Sequence, residues 1–202
     1  MDAPIILSSR NRKKSREIAE ILAPWKIPIQ SIADFPEVGE IDEDGATFLD
    51  NASKKAREPA LRLRRWVIGE DSGLMVDALG GAPGVYSARY SGLAATDETN
   101  NEKLQHELAG VPPDQRTAAY ACTIALADPT GEIRASAVGY CRGVIIDQPL
   151  GTNGFGYDPY FLIREYGKTF GELSSLVKHQ ISHRARAFSA FIPQLLRVWR
   201  ET

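Results

Sequence analysis

The sequence predicts an α/β protein. Short apolar runs, Pro4-Ile5-Ile6-Leu7 and Trp66-Val67-Ile68, have the length and composition of buried strands. After the first run, Ile18, Ala19, Ile21 and Leu22 recur at helical spacing. Just past the second stand two carboxylates, Glu70 and Asp71, followed by a loop with three glycines and a proline between Gly80 and Gly84. Acids at a strand end beside a glycine-rich loop are where α/β proteins hold ligands.

A chain of 202 residues is long enough for one domain with a sizeable core, and no repeat or linker divides it, so residues 1–202 are expected to form a single domain. Apolar residues at 43% and charged residues at 25% are ordinary globular values. A formal net charge of −2 gives no global attraction to nucleic acid or membrane. No apolar run approaches the roughly 20 residues of a membrane span, and MDAPIILSSRN lacks the pattern of a secretory signal. The expectation is a cytoplasmic protein with neither nucleic-acid nor membrane partners. Cys122 and Cys141 then read as buried thiols, and no CxxC or Cys/His metal cluster occurs.

The loop Ser9-Arg10-Asn11-Arg12-Lys13-Lys14 leads into the first helix. Five cations, Arg10, Arg12, Lys13, Lys14 and Arg16, crowd its N-terminus, and no acid appears before Glu17. The helix macrodipole disfavours each cation there by roughly 0.3–1 kcal/mol. An anion held by backbone N–H groups and these side chains relieves the conflict, which suggests a phosphate site. It is not a Walker A loop, since GxxxxGK[ST] is absent. A solvated basic turn is the plainer alternative.

Prolines 24, 28 and 36 break any long helix, and Ile27 to Ile32 fits an edge strand. Asp42-Glu43-Asp44-Gly45 then leads into a second helix, where Thr47 and Asp50 have capping-box spacing. Asp50 reads either as a helix cap or as a magnesium ligand facing the acids at 70 and 71. Pro59 is expected to kink or split this helix. The strand from Trp66 is expected to end at Gly69, with Ser72-Gly73 turning the chain into a second run, Leu74-Met75-Val76.

Thr96-Asp97 starts a helix through Leu104 and Leu108, stopped by Gly110 and Pro112-Pro113. Thr117 to Ala127 and Ile133 to Ile146 read as strands joined by the turn Asp128-Pro129-Thr130-Gly131. Phe155, between two glycines in Gly154-Phe155-Gly156-Tyr157-Asp158-Pro159, is either core or a platform for a flat base, stacking being worth about 1–3 kcal/mol. A strand from Tyr160 to Ile163 and a last helix from about Ser182 to Arg200 close the chain. Lys178, Ser182, His183 and Arg184 again put cations at a helix start.

Together these segments resemble the inosine-triphosphate pyrophosphatase family. The likeness rests on Ser9-x-Asn11-x-x-Lys14, Thr47-Phe48-x-Asp50-Asn51-Ala52, Glu70-Asp71-Ser72-Gly73-Leu74 with Gly80-Gly81-Ala82-Pro83-Gly84 and Tyr86-Ser87-Ala88-Arg89, Phe155-Gly156-Tyr157-Asp158-Pro159, and Lys178 with Ser182-His183-Arg184. The motifs follow family order and spacing from residue 9 to residue 184. The resemblance implies a mixed, elongated, twisted sheet flanked by helices, with two lobes around a nucleotide cleft. It also implies a magnesium-dependent homodimer that cleaves ITP, dITP and XTP between the α- and β-phosphates.

On that reading Asp50 and Asp71 are the Mg2+ ligands, since Mg2+ takes one or two protein carboxylates beside phosphate oxygens. Asp71 also serves as the base for the attacking water, because a carboxylate is already ionised at neutral pH. Glu70 points the other way if strand geometry persists and takes a supporting role. Ser9, Arg10, Asn11, Arg12, Lys13 and Lys14 bind phosphates, and Ser72 adds a donor. At the base end Phe155 stacks, Gly156, Tyr157 and Asp158 shape the pocket, and Lys178, His183 and Arg184 aim donors at the C6 oxygen that adenine lacks. The sequence departs from the family in having Asp50 where Glu is usual, Ser9-Arg10 where Thr-Gly is commoner, Glu70 for Asp, and a proline at 59. Two rivals are a pyrophosphatase of the same fold acting on pyrimidine or methylated nucleotides, and a non-catalytic RNA- or nucleotide-binding module using the basic segments 10–16 and 62–65.

Overall fold

The computed structural model describes residues 3–200. In chain order its main elements are β1 (Ile5–Ser8), α1 (Arg12–Leu22), β2 (Ile29–Ser31), α2 (Phe48–Leu63), β3 (Val67–Val76), α3 (Asp97–Leu108), β4 (Thr117–Ala127), β5 (Ile133–Ile145), β6 (Phe161–Ile163), β7 (Lys168–Thr169), α4 (Ser175–Ile181) and α5 (His183–Arg200). The strands form a seven-stranded sheet in the order β2-β1-β3-β4-β5-β6-β7. The sheet is mixed, as expected: β1 runs parallel to β2 and β3, whereas β6 runs antiparallel to β5 and β7. It is an open sheet, and β2 is its edge strand on one side.

The chain falls into two compact units. One takes residues up to Asp71, Cys122–Gly139, and the chain from Arg184 onward; the other takes Ser72–Ala121 and Tyr140–His183.

In the first unit β1, β4 and the start of β3 are buried on both faces, which is why their sequences are apolar runs and not alternating ones. Ile5, Leu7, Ile68, Ile124 and Leu126 pack with Ile18 and Leu22 of α1 and Phe188, Phe191 and Leu195 of α5. Their neighbours in sequence, Ile6, Val67, Ala125 and Ala127, pack with Ala52, Ala56 and Ala60 of α2. The alanines recur every four residues, so α2 turns a stripe of small side chains to the sheet. At the crossing stands Gly69: a Cβ there would lie 2.1 Å from the Ala52 carbonyl oxygen and 2.6 Å from the Ala56 nitrogen. The helix thus approaches β3 as closely as backbone allows.

Pro59 neither splits nor ends α2, which continues to Leu63. The proline is buried on the same helix as Ala56 and Ala60, and the packing of that face sustains a helix that propensity alone would break. The expected turn at Ser72-Gly73 is also absent. β3 is one strand of ten residues, buried along almost its whole length, and Gly69 is a close-approach point within it.

The second unit has its own core. Leu74 and Val76, Ala118 and Tyr120, Cys141 and Ile145, and Leu104 and Leu108 of α3 surround Phe161 and Phe170. Tyr120 and Phe161 have ring centroids 4.6 Å apart, and Phe161 and Phe170 5.5 Å. Cys122 and Cys141 are both buried and neither is in a disulfide.

Candidate active site

Because β3 is extended, consecutive side chains leave it on opposite faces. Ile68 and Glu70 share the face packed by α1 and α5; Val67, Gly69 and Asp71 share the face packed by α2. Both acids are buried, Glu70 at 2% and Asp71 at 3% exposure. They lie inside the strand and not at its tip. A buried carboxylate needs partners, and each acid has its own set.

Asp71 is met by α2. The close approach that Gly69 permits brings Asn51 and Lys55, each just before a packing alanine, onto its carboxylate. Asn51 Nδ2 donates to Oδ2 at 3.0 Å, and Lys55 Nζ lies 3.1 Å from Oδ1. Lys55 Nζ also donates to the Glu70 carbonyl at 3.2 Å and pairs with Glu43 at 2.6 Å. The other end of the Asn51 amide accepts the Gly45 N–H at 2.8 Å. Asn51 and Lys55 therefore tie the acidic loop before α2 to the acid in β3. Burial pushes the Asp71 carboxyl above the ordinary aspartate range; Lys55, Lys14 and the Asn51 amide pull it back without cancelling the rise. Burial pulls Lys55 down, but the charges of Asp71 and Glu43 outweigh it and hold the ammonium above its ordinary value.

Glu70 is met from the other face. Lys14 Nζ stands 3.3 Å from Oε2, the Arg184 guanidinium donates to Oε1 at 3.0 and 3.3 Å, and the Cys122 thiol donates to Oε1 at 3.4 Å. Arg184 also pairs with Glu17 of α1 and is only 1% exposed. Burial and the adjacent Glu70 charge raise the Cys122 thiol well above its ordinary value.

The first-helix loop is built around its cap. Asn11 Oδ1 accepts the N–H groups of Lys13 and Lys14 at 3.0 and 3.2 Å. That removes two of the backbone donors the sequence assigned to phosphate. Ser9 N–H is used by the Leu7 carbonyl at 3.0 Å. The side chains of Arg12 and Lys13 are exposed, Arg10 reaches the Gly39 carbonyl, and Lys14 is half-buried on Glu70.

In the second unit the loop Gly154–Asp158 wraps a buried carboxylate. Asp158 Oδ2 accepts the Phe155 N–H at 2.9 Å and pairs with Lys178 Nζ at 2.7 Å. Gly154 has φ +76, and a Cβ there would sit 2.0 Å from that same oxygen. Lys178 Nζ lies 4.9 Å from the centroid of the Phe155 ring, which is only partly buried. Tyr157 is core, and its hydroxyl donates to the Ser87 carbonyl at 2.8 Å. His183 is buried and stacks on Tyr120 with centroids 4.7 Å apart.

The first unit thus carries a basic loop and a buried Asp–Lys–Asn cluster, and the second carries an aromatic–Lys–Asp loop. The sequence signature of the Ham1 family matches residues 5–194. The chain belongs to the Ham1 family. Among its relatives, the dITP/XTP pyrophosphatase of Rhodopirellula baltica is 51% identical across 96% of this chain and 93% of its own length. That of Listeria monocytogenes is 50% identical across 96% and 95%. The Ham1 protein structure from Coxiella burnetii superimposes with a TM-score of 0.86 at 36% identity, covering 98% of this chain and 99% of its own. The family resemblance read from the motifs is thus correct, and so is the mixed sheet flanked by helices.

Within this Ham1 chain the predicted residues divide clearly. Asp71 and Lys14 belong to the charged cluster of the first unit, with Glu70 between Lys14 and Arg184. Asp50 caps α2: its carboxylate takes the Thr47 N–H at 3.0 Å and hydroxyl at 2.7 Å. Phe155, Asp158 and Lys178 come together, with Gly156 and Tyr157 framing them. Ser72 follows Asp71 in β3 and is half-buried. Glu43, Asn51 and Lys55 were not singled out as site residues. The signal for Lys55 and Asn51 was their spacing of four on a helix face bordering an alanine stripe, where a lone buried lysine demands a carboxylate.

Proposed function

We propose that this protein hydrolyses deaminated purine nucleoside triphosphates, ITP, dITP and XTP, to the monophosphate and pyrophosphate. The observation that carries the reading is the buried Asp71 carboxylate held by Lys55 and Asn51, with Glu43 on the same ammonium. The names of the close relatives support it.

Magnesium fits the donor set. Among the described residues no group of three or more acid, histidine or cysteine side chains is arranged to hold a metal. Two carboxylates, Glu43 and Asp71, do converge on one cation, and Mg2+ takes one or two carboxylates and completes its shell with water and phosphate oxygens. We assign these two as its ligands, leaving Asp50 to its cap. When bound, the ion neutralises phosphate charge and lowers the pKa of water.

Asp71 takes the proton of the water that attacks the α-phosphorus, its orientation fixed at one oxygen by Asn51 and at the other by Lys55. Lys14 supplies the main positive charge of the phosphate loop, Arg10, Arg12 and Lys13 the surrounding field, and Ser9, Asn11 and Ser72 orient. In the second unit Phe155 stacks on the purine and Lys178 donates to the C6 oxygen, while the Asp158 carboxylate fixes both. His183 supports that end from its stack on Tyr120. Arg184 acts through Glu70, because its guanidinium is spent on Glu70 and Glu17.

The same reading includes a homodimer working in the cytoplasm on free nucleotides, without nucleic-acid or membrane partners. The family resemblance and the small net charge support it. No helix among the described residues is long and apolar enough to cross a membrane. A panel of ITP, dITP, XTP, ATP and dTTP with Mg2+, assayed for pyrophosphate and orthophosphate, tests the assignment. Preferred pyrophosphate release from the first three is expected. Equal turnover of ATP, or preference for dTTP, would reject it.

A further inference from the structure

The start of α3 grips the aromatic loop at two points. Asp97 Oδ2 accepts the Gly156 N–H at 3.0 Å, and Asn101 Nδ2 donates to the Gly156 carbonyl at 2.9 Å. The second Asn101 Nδ2 donation goes to the Asp97 carbonyl at 2.7 Å, which locks the two gripping residues to each other. Both backbone polar groups of Gly156 are thus held by one helical turn, at a residue whose φ of +63 puts it in the left-handed region. On the other side of the loop, Asp158 holds the Phe155 N–H. The Phe155 ring therefore projects from a segment fixed at both flanks.

The Asn101 amide has one further feature. The residue is only 7% exposed, and its Oδ1 has no hydrogen-bond partner among the described residues. Turning the amide over would set that oxygen against the Asp97 and Gly156 carbonyls, so the donations dictate the orientation. A buried acceptor is left uncompensated to keep them. Helix capping does not account for this: Thr96 and Thr99 already close the capping box of α3.

We infer that Asp97 and Asn101 are positioning residues that set the Phe155 ring for the purine base, and so set base affinity without touching the nucleotide. The inference rests on the proposed function, specifically on Phe155 as the stacking platform.

The test uses Asp97→Ala, Asp97→Asn, Asn101→Asp and Asn101→Leu in the full chain. The readouts are kcat and KM for ITP, inhibition by inosine monophosphate and by pyrophosphate, and thermal melting. Asp97→Ala and Asn101→Asp should raise KM for ITP and weaken inosine monophosphate inhibition about tenfold, the effect of losing one such hydrogen bond. Pyrophosphate inhibition should not move, because it reports only the phosphate end. Asp97→Asn keeps an oxygen acceptor and should retain most of the affinity. Equal weakening of both inhibitors, or no change in either, would overturn the inference. If the Asn101 variants fail to fold, exposed Asp97 carries the test alone. A wild-type protein that turns over ITP while Asp97→Ala behaves identically rejects only this inference; a wild type inert on ITP rejects the proposed function as well.

Discussion

Lys55 Nζ lies 3.1 Å from the Asp71 carboxylate, and both side chains are almost entirely buried. Removing one member of a buried pair leaves the other charge uncompensated, at a cost of about 3–5 kcal/mol. Lys55→Met should lower unfolding free energy by about that amount and reduce kcat by about 10²-fold or more. Denaturant unfolding and steady-state kinetics check the two halves separately. A variant of unchanged stability would mean the pair does not persist in solution.

The pH behaviour of Asp71 follows from its burial. Its folded-state pKa lies above the unfolded value, so the native state binds this proton more readily than the unfolded chain does. The ionised carboxylate therefore weighs against folding above the folded pKa, and that penalty is relieved as pH falls through it. In metal-free protein a carbon-13 titration of Asp71 should give a midpoint above the ordinary aspartate range. Lys55→Met should move it higher still. A midpoint in the ordinary range would remove the burial argument.

Gly69→Ala probes the contact that brings α2 to β3. A methyl group there meets backbone, at 2.1 Å from the Ala52 oxygen, and backbone cannot rotate away. The expected loss is about 3 kcal/mol or more, at or beyond the upper end of ordinary overpacking costs. Because the helix must shift, Asn51 and Lys55 should also leave Asp71, and activity should fall even where the variant remains folded. Unfolding midpoints and turnover of the folded fraction measure both. Tolerance of the methyl with full activity would contradict the close approach.

Lys178 and Arg184 were grouped by sequence as donors to the base, and their surroundings separate them. Lys178→Met should reduce the preference for ITP over ATP more than it reduces total turnover, since it removes the proposed donor to the C6 oxygen. Arg184→Met should instead lower stability by about 3–5 kcal/mol, by stripping Glu70 of its buried partner, and leave the ITP/ATP ratio near that of the wild type. Competition assays with both triphosphates, alongside unfolding curves, distinguish the two. A shifted ratio in Arg184→Met at unchanged stability would return Arg184 to the base pocket.

The strands of the first unit were legible because Ile5-Ile6-Leu7 and Val67-Ile68 are apolar on both faces, and α3 because Thr96, Leu104 and Leu108 punctuate it. The motifs pick out Asp71 and Lys14, which share the charged cluster of the first unit, and Phe155, Asp158 and Lys178, which meet in the second. What eluded the sequence was tertiary. Ser72-Gly73 has turn chemistry, yet burial keeps β3 extended through it. Pro59 breaks helices in isolation, yet the packed face of α2 carries it. Asp50 carries a capping signal and a ligand signal at once, so the sequence leaves both readings open, and the Thr47 hydrogen bonds show the cap. Lys55 carries only a faint sequence signal, its spacing of four from Asn51 beside an alanine stripe, and it is the Gly69 contact that brings its helix against Asp71. Asp97 and Asn101 act on Gly156 across more than fifty residues of chain, which no local pattern encodes.

The most direct test of the account is hydrolysis of ITP with Mg2+ in water enriched in oxygen-18. Attack at the α-phosphorus by a water deprotonated by Asp71 predicts inosine monophosphate carrying the label, unlabelled pyrophosphate, and no orthophosphate. Label in the pyrophosphate, or release of orthophosphate, would contradict it.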